Sequence, residues 1–278
     1  MAQPASSDYR SVPLFDEMTS PEVAAAIASD AAIFVSLGAT EQHGAHLPLG
    51  SDTMQGLDIS RRAVHRLQQE GIAAIVGPVI PFGPRPFLSE TPRDYPGTVN
   101  ISNNTLRILL EEVCRELIGQ GFRRIYLVLA NAESDPPMQI VAKELSETTE
   151  ANLVTLNWLV GVRPHYPKLM KATKPQGHGG EGETCRMLAT APHLVRMNEA
   201  RPWHPTVPDG VPFADYLPYL GGGVGRYKMP DPFFAGFSDG ITGDPQLASA
   251  EVGEKVYELV TDWITSIVKF DLATTKRG

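Results

Sequence analysis

Four side chains of the kinds that hold divalent cations crowd one short stretch of this chain. Glu41, His43, His46 and Asp52 lie in Gly38-Ala39-Thr40-Glu41-Gln42-His43-Gly44-Ala45-His46-Leu47-Pro48-Leu49-Gly50-Ser51-Asp52-Thr53. Imidazole and carboxylate suit borderline cations such as Zn, Mn or Fe(II). A Glu-x-His pair can splay two ligands toward different ions, and a carboxylate further along can bridge them. Two ions held ~3.5–4 Å apart can then activate a water and polarise a carbonyl. The same residues would also serve as a solvated polar loop, and spacing alone leaves the two readings in balance. Position tips it toward ligands, because the cluster follows directly on an apolar run and sits in a loop shaped by Gly and Pro.

The elements that must position this cluster are legible as an alternation. Ala31–Leu37 (AAIFVSL) is a short apolar, β-branched run closed by Gly38, which reads as a buried strand. Asp52 to Gln69 has helical spacing through Met54, Leu57, Ile59, Val64 and Leu67, with Gly71 beyond its end. Ile72–Val79 is a second strand, followed by a Pro/Gly loop. A helix capped at Ser102 or Asn103 carries Leu106, Leu109, Leu110, Val113 and Leu117 on one face, and Gly121 stops it. Arg124–Ala130 is a third strand and Leu153–Leu159 a fourth, with a helix opened by Pro136 and Pro137 between them. Strands alternating with helices predict parallel pairing through right-handed crossovers. The expected fold is therefore α/β, a single doubly wound, mostly parallel sheet flanked by helices. One domain should span residues 1–278, with a Pro/Gly/aromatic-rich insertion at about 201–243 and a final helix from Ser249 to Phe270. In such sheets ligands collect at the carboxyl ends of the strands.

Composition narrows the partners. The 278 residues include 24 Lys and Arg against 32 Asp and Glu, a net charge of −8. The basic residues form no stripe, which excludes a phosphate-backbone binder and points to a small-molecule substrate. The two cysteines, Cys114 and Cys185, are too few and too far apart for a disulfide framework or structural zinc. No apolar segment approaches the length of a membrane span, and Met1 to Tyr9 has no signal-peptide core. A cytoplasmic protein that touches neither membrane nor nucleic acid is expected.

Longer motifs make the chain resemble a known family. ATEQHGAHLPLGSDT is similar to the creatininase (creatinine amidohydrolase) signature GSxEQHGPHLPLGTDT. Tyr95-Pro96-Gly97-Thr98-Val99 resembles that family's FPGTI segment. Gly177-His178-Gly179-Gly180-Glu181-Gly182-Glu183-Thr184 resembles its HAGExET segment, and Gly240-Ile241-Thr242-Gly243-Asp244-Pro245 is also family-like. The resemblance covers roughly residues 30 to 270. It implies a metal-dependent hydrolase on a creatininase-type α/β fold, with two divalent ions per chain (Mn, Zn or Fe(II)) and assembly as a homohexamer. Carried over by motif position, Glu41 would bind one metal, His43 the other, and Asp52 both; His46 matches a motif histidine taken as structural. His178 would contact substrate and carry a proton, a role suited to an imidazole. Glu181 could complete the second metal's shell, while Glu183 and Thr184 would cap the following helix.

One motif departs from the pattern. Where the creatininases have NGHGGN or NGHYEN after the third strand, this chain has Asn131-Ala132-Glu133-Ser134-Asp135. Alignment of the asparagines places Glu133 on a ligand histidine and Asp135 on a ligand glutamate, and both replacements can bind metal. The extra carboxylate should favour harder cations, so that Mn, Mg or Fe(II) compete better against Zn. The altered motif argues against creatinine itself as substrate. Attack on the carbonyl of a small, cyclic amide is the first expectation, with C–C cleavage of a polyhydroxylated diketone ring as the alternative. A catalytically inactive metabolite binder is a third. Trp158, Tyr166, Trp203 and His204 could line a pocket, and Arg85 and Arg93 could bind a substrate carboxylate or hydroxyl. The GxGxxG pattern at Gly177–Gly182 lacks the preceding strand that a dinucleotide site requires.

Overall fold

The computed structural model describes residues 8–86, 88–89, 95–174, 176–204, 228–229 and 240–274. Arg93 and most of the 201–243 segment lie outside the described residues. Four strands, β1 (Ala32–Leu37), β2 (Ala74–Ile80), β4 (Arg124–Leu129) and β5 (Asn152–Leu156), form one sheet in the order β2-β1-β4-β5, and every pairing is parallel. Two-residue strands β3 (Leu88–Ser89) and β6 (Lys228–Met229) pair with each other and tie the loop after β2 to the Pro/Gly-rich segment. The helices are α1 (Ser20–Ala28), α2 (Ser51–Gln69), α3 (Asn103–Gln120), α4 (Asp135–Thr148), α5 (Trp158–Gly161), α6 (Glu181–Thr190) and α7 (Ala250–Thr274).

Strand alternation explains why helices must cover both faces. In β1, Ala32 and Phe34 join a core with Tyr126 and Val128 of β4, Ala63, Val64 and Leu67 of α2, and Val256, Val260 and Ile264 of α7. The intervening Ile33, Val35 and Leu37 join a second core with Ile125, Leu127 and Leu129, Leu106 and Leu110 of α3, and Met138 and Val141 of α4. A strand buried on both faces can be apolar throughout, which is why these runs read so clearly. The edge strand β2 tolerates Pro78, which has no N–H to give a ladder, and its register with β1 shifts between Phe34 and Ser36.

The helix boundaries follow local chemistry. Ser102 Oγ accepts the Thr105 N–H at 3.0 Å to open α3, and Gly121 at φ 119° closes it in the left-handed region. Pro136 and Pro137 fall in the first turn of α4, where their missing N–H groups cost nothing. The expected fourth strand is corrected at its end. The run does not continue to Leu159, because the Asn157 side chain accepts the Val160 N–H at 3.2 Å and turns the chain into α5. Trp158 is thereby a helix residue, 3% exposed, whose indole N–H donates to the Leu129 carbonyl at 2.8 Å.

The chain enters the sheet at β1, moves outward to β2, then crosses back to β4 on the other side of β1. The strand order therefore reverses between β1 and β4, and in sheets of this kind ligands bind outside the carboxyl ends of the strands at that point. What seats α2 on the sheet there is a close approach at Gly56, where an added Cβ would meet the Ala130 Cβ at 2.7 Å. Ser36 Oγ anchors the same turn, 3.2 Å from the Gly56 carbonyl and 2.9 Å from Ser60 Oγ. Gly56→Ala should lower stability by about 1–3 kcal/mol by overpacking, although alanine is the better helix former. Urea denaturation measures this, and an unchanged midpoint would contradict the contact.

Candidate metal centre

The loop leaving β1 folds back before it enters α2. The Glu41 N–H donates to the Leu49 carbonyl at 2.9 Å, and residue 38 has to be glycine because a Cβ there would lie 2.7 Å from the Thr53 Cα. This brings Glu41, His43 and, from the first turn of α2, Asp52 to one place, all buried. His43 Nδ1 donates to the Glu41 carbonyl at 2.9 Å, which orients the ring and turns Nε2 toward Asp52 Oδ1 at 3.0 Å.

Two other elements complete the cluster. Glu183, in the first turn of α6, places Oε2 3.4 Å from His43 Nε2 and accepts the Gly179 N–H at 2.7 Å. His178 stacks obliquely on His43, ring centroids 4.2 Å apart, with its Nε2 beside the Gln42 carbonyl and side-chain amide. Gln42 is itself fixed, since its Nε2 donates to the Gly240 carbonyl at 2.6 Å and its Oε1 accepts the Gly44 N–H at 2.9 Å. The ligand atoms of Glu41, His43 and His178 lie within 4.8 Å of one another, as do those of His43, Asp52 and Glu183. His46 stands aside, buried and 3.0 Å from Thr184 Oγ1, with burial pulling its pKa down to about 4.

The loop after β4 contributes less directly. Asn131 sends one amide nitrogen to both Glu41 Oε2 at 3.1 Å and Asp52 Oδ2 at 2.9 Å. Glu133 lies near enough to Glu41 that burial, then the like charge, raises its pKa to about 7. Asp135 Oδ2 accepts from the Gln139 side chain at 2.8 Å and from the Asn157 side chain at 3.1 Å at β5's exit, while Oδ1 is buried without a hydrogen-bond partner among the described residues.

Several sequence expectations change here. The two glutamates of the 177–184 segment exchange places. Glu181 is fully buried with its carboxylate accepting the Lys171 and Ala172 N–H groups, both at 2.8 Å, whereas Glu183, read as a cap, faces His43. Two residues on a helix differ in direction by about 200°, so these glutamates face opposite ways, and no loop motif says which faces the site. Trp158 and Tyr166 belong to the core beneath the site, their rings 6.2 Å apart, and the Tyr166 hydroxyl accepts from Arg186 at 2.9 Å. Arg85 is exposed in the loop after β2, two residues past Gly83, whose α-carbon abuts the Asn131 amide. Sequence reasoning missed Asn131 and Gln42 as orienting groups. Their signal was faint, an amide residue adjacent to acid and imidazole positions.

Buried acids dominate the electrostatics. Burial raises the Glu41 pKa against the pull of His178, while His43 and Asn131 overcome burial to lower that of Asp52. Burial disfavours the His43 cation, but Asp52, Glu183 and Glu41 outweigh it and carry its pKa to about 10. A proton on His43 therefore sits where a cation would relieve the same acids.

Comparison with known proteins agrees with this geometry. Residues 16–268 match the family model Creatininase, described as creatinine amidohydrolase. The chain belongs to the creatininase family. It is 28% identical over 276 residues to the creatinine amidohydrolase of Pseudomonas putida, covering 93% of this chain and 97% of the relative. It is 26% identical to a mycofactocin precursor peptide peptidase of Mycobacterium ulcerans (95% and 96% covered). It is 25% identical to the 3-dehydro-scyllo-inosose hydrolase of Thermotoga maritima (92% and 82% covered). All three are hydrolases, and so is this family member. A crystal structure of creatininase superposes with a TM-score of 0.74 at 24% identity, covering 95% of this chain and 100% of that one, which shows the fold. Neighbouring creatininase structures are of manganese and zinc forms, with TM-scores of 0.72 and 0.70. No helix among the described residues is long and apolar enough to cross a membrane.

A cation held by His43 and Glu133 would have to displace their protons, so affinity should rise with pH. Manganese uptake at pH 6 should release about two protons per chain, and at pH 9 about one, as the Glu133 contribution vanishes above its pKa. Calorimetry in buffers of different ionisation enthalpy counts them. Uptake without proton release at pH 6 would refute the assignment.

Proposed function

We propose that this chain is a dinuclear metal hydrolase acting on the carbonyl of a small cyclic amide. The observation that carries the reading is a pair of close ligand groups that share His43, one with Glu41 and His178 and the other with Asp52 and Glu183. The donor set fits divalent ions: buried carboxylates face one another with an imidazole nitrogen between them, and a proton on His43 is their compensation. Asp52 suits a bridge, since Oδ1 faces His43 while Oδ2 faces Asn131 on the Glu41 side. Glu41, with Glu133 beside it, would hold one ion; His43 and Glu183 would hold the other. The carboxylate-rich set suits Mn, Mg or Fe(II) as well as Zn.

Divalent ions held there supply Lewis-acid polarisation of a carbonyl and make a water acidic enough to act as nucleophile at neutral pH. The protein's own groups do the rest. His178 is held with Nε2 against the Gln42 carbonyl and stands beside the cluster, where its ring could take up the proton lost by the attacking water and return it to the departing nitrogen. Glu181 acts as an anchor, fixing residues 171–172 so that the Gly177–Gly180 turn presents His178. Arg85 at the rim is the candidate for a polar substrate substituent. The names of the amidohydrolase and peptidase relatives support an amide substrate. Asp135 and Glu133 stand where the family motif carries other side chains, which argues for an amide other than creatinine. Assembly as a hexamer is part of the same proposal, by family resemblance.

Protein loaded separately with Mn, Zn and Fe(II) should be screened against lactams, formamides, short peptides and keto-inositols. Turnover of lactams or formamides supports the reading. Turnover confined to keto-inositols would replace it with C–C hydrolysis, and no metal uptake would make the chain a metabolite binder. Asp52→Ala should lower kcat/KM by at least about 100-fold with the fold retained by circular dichroism. His178→Ala should lower kcat by about 10²–10⁴-fold with metal content unchanged. Loss of bound metal in that variant would reassign His178 as a ligand.

A further inference from the structure

Below the cluster lies a buried cation that the proposed reaction does not use. Arg186 is 4% exposed, and a guanidinium cannot shed its charge to ease burial. Its Nε donates to Gln55 Oε1 at 2.5 Å, and one terminal nitrogen donates to the Tyr166 hydroxyl at 2.9 Å. Its plane rests on the Trp158 ring, 4.8 Å from the centroid. These partners are neutral. The carboxylate that faces it is Glu183, whose Oε1 is 4.0 Å away while Oε2 points at His43. The negative charge that offsets this cation is therefore the acid-rich cluster itself.

The placement is regular. On α2, Gln55 lies one turn after Asp52; on α6, Arg186 lies one turn after Glu183. Residues three apart share a helix face, so the Gln55–Arg186 hydrogen bond joins the two helices one turn beneath the two carboxylates that flank His43. Fixing the lower pair fixes the separation of the upper pair. The carboxylates of Glu41, Asp52, Glu133 and Glu183 would cancel two divalent ions completely, and Arg186 returns one positive charge to the assembly.

We propose that Arg186, stapled to Gln55, is a positioning residue that sets the Asp52–Glu183 spacing and so builds the subsite for the second divalent ion. The inference rests on the metal-site reading above. Full-length wild type, Arg186→Met, Arg186→Lys, Gln55→Leu and Tyr166→Phe, freed of metal, should be titrated with Mn(II) alone. The readouts are stepwise affinity, the electron paramagnetic resonance spectrum of bound Mn, and thermal midpoint of the metal-free protein. Wild type should take up two ions with the spin-coupled spectrum of a close pair. Arg186→Met and Gln55→Leu should weaken the second step by about 10–100-fold and leave the six-line spectrum of an isolated ion, with the first step within about threefold of wild type. Arg186→Lys keeps the charge but not the fork and should fall between them. A merely structural role would weaken both steps together with the thermal midpoint, and that result overturns the proposal. So would wild-type stepwise affinities in Gln55→Leu or, if Arg186→Met does not fold, in both Arg186→Lys and Tyr166→Phe. Wild type that binds no Mn refutes the metal-site reading itself, a different failure from two ions bound equally well by every variant.

Discussion

Like charges brought together out of water are the constraint around which this molecule is arranged. Glu41 and Asp52 are buried side by side, Glu133 presses on Glu41, and Glu183 approaches the same imidazole from another helix. Carboxylates in such proximity cannot all ionise without compensation. In this chain the compensation comes from the His43 imidazole, whose pKa the surrounding acids carry to about 10, from the Asn131 amide and, a turn deeper, from the guanidinium of Arg186. Each is a positive or donor group aimed at the same negative focus. A concentration of acid this costly is stable only where the surrounding fold prevents its members from separating.

The fold does so by fastening every contributor to a rigid element. The two acids of the first loop are bracketed by β1 and α2, and α2 is seated on the sheet at Gly56. Glu183 enters on α6, which packs against α7 through the core beneath the site. His178 rides on a glycine-rich turn that is tied down at both ends, by Glu181 on one side and by Thr242 on the other, whose N–H donates to the His178 carbonyl at 2.6 Å. The reversal of strand order between β1 and β4 sets the loops that carry these groups side by side at the carboxyl ends of the strands. Preorganisation of this kind is what distinguishes a cation cage from a solvated acidic loop.

Much of the architecture was legible in the residues because burial on two faces leaves a strong signature. The runs at β1 and β4 are apolar at nearly every position, and Ser102, Gly121 and Pro136 mark helix ends by local chemistry alone. Where a local competitor interrupted an apolar run the reading failed, as when Asn157 ended β5 and carried Trp158 into a helix. The site was half legible. Glu41, His43 and Asp52 lie within one loop and the helix that follows it, so their spacing along the chain is nearly their spacing in space. Glu183 and Asp135 were hard to place from the chain alone because both stand in the first turn of a helix, where the direction of a side chain depends on what the helix packs against.

What the residues alone determined is the chemistry on offer: an alternating α/β chain of net negative charge, with acids and imidazoles placed at strand ends in the pattern of one hydrolase family. Short-range patterns carry that much because strand and helix periods, caps and turn residues act over a few positions. Tertiary structure decided which acids share a focus. It brought Glu183 rather than Glu181 to His43, spent Asp135 on Asn157, buried Trp158 and Tyr166 beneath the site, and set Arg186 under it. Those outcomes depend on how α2, α6 and β4 pack against one another, and packing distances between residues 79 and 131 positions apart are written in no single stretch of the chain.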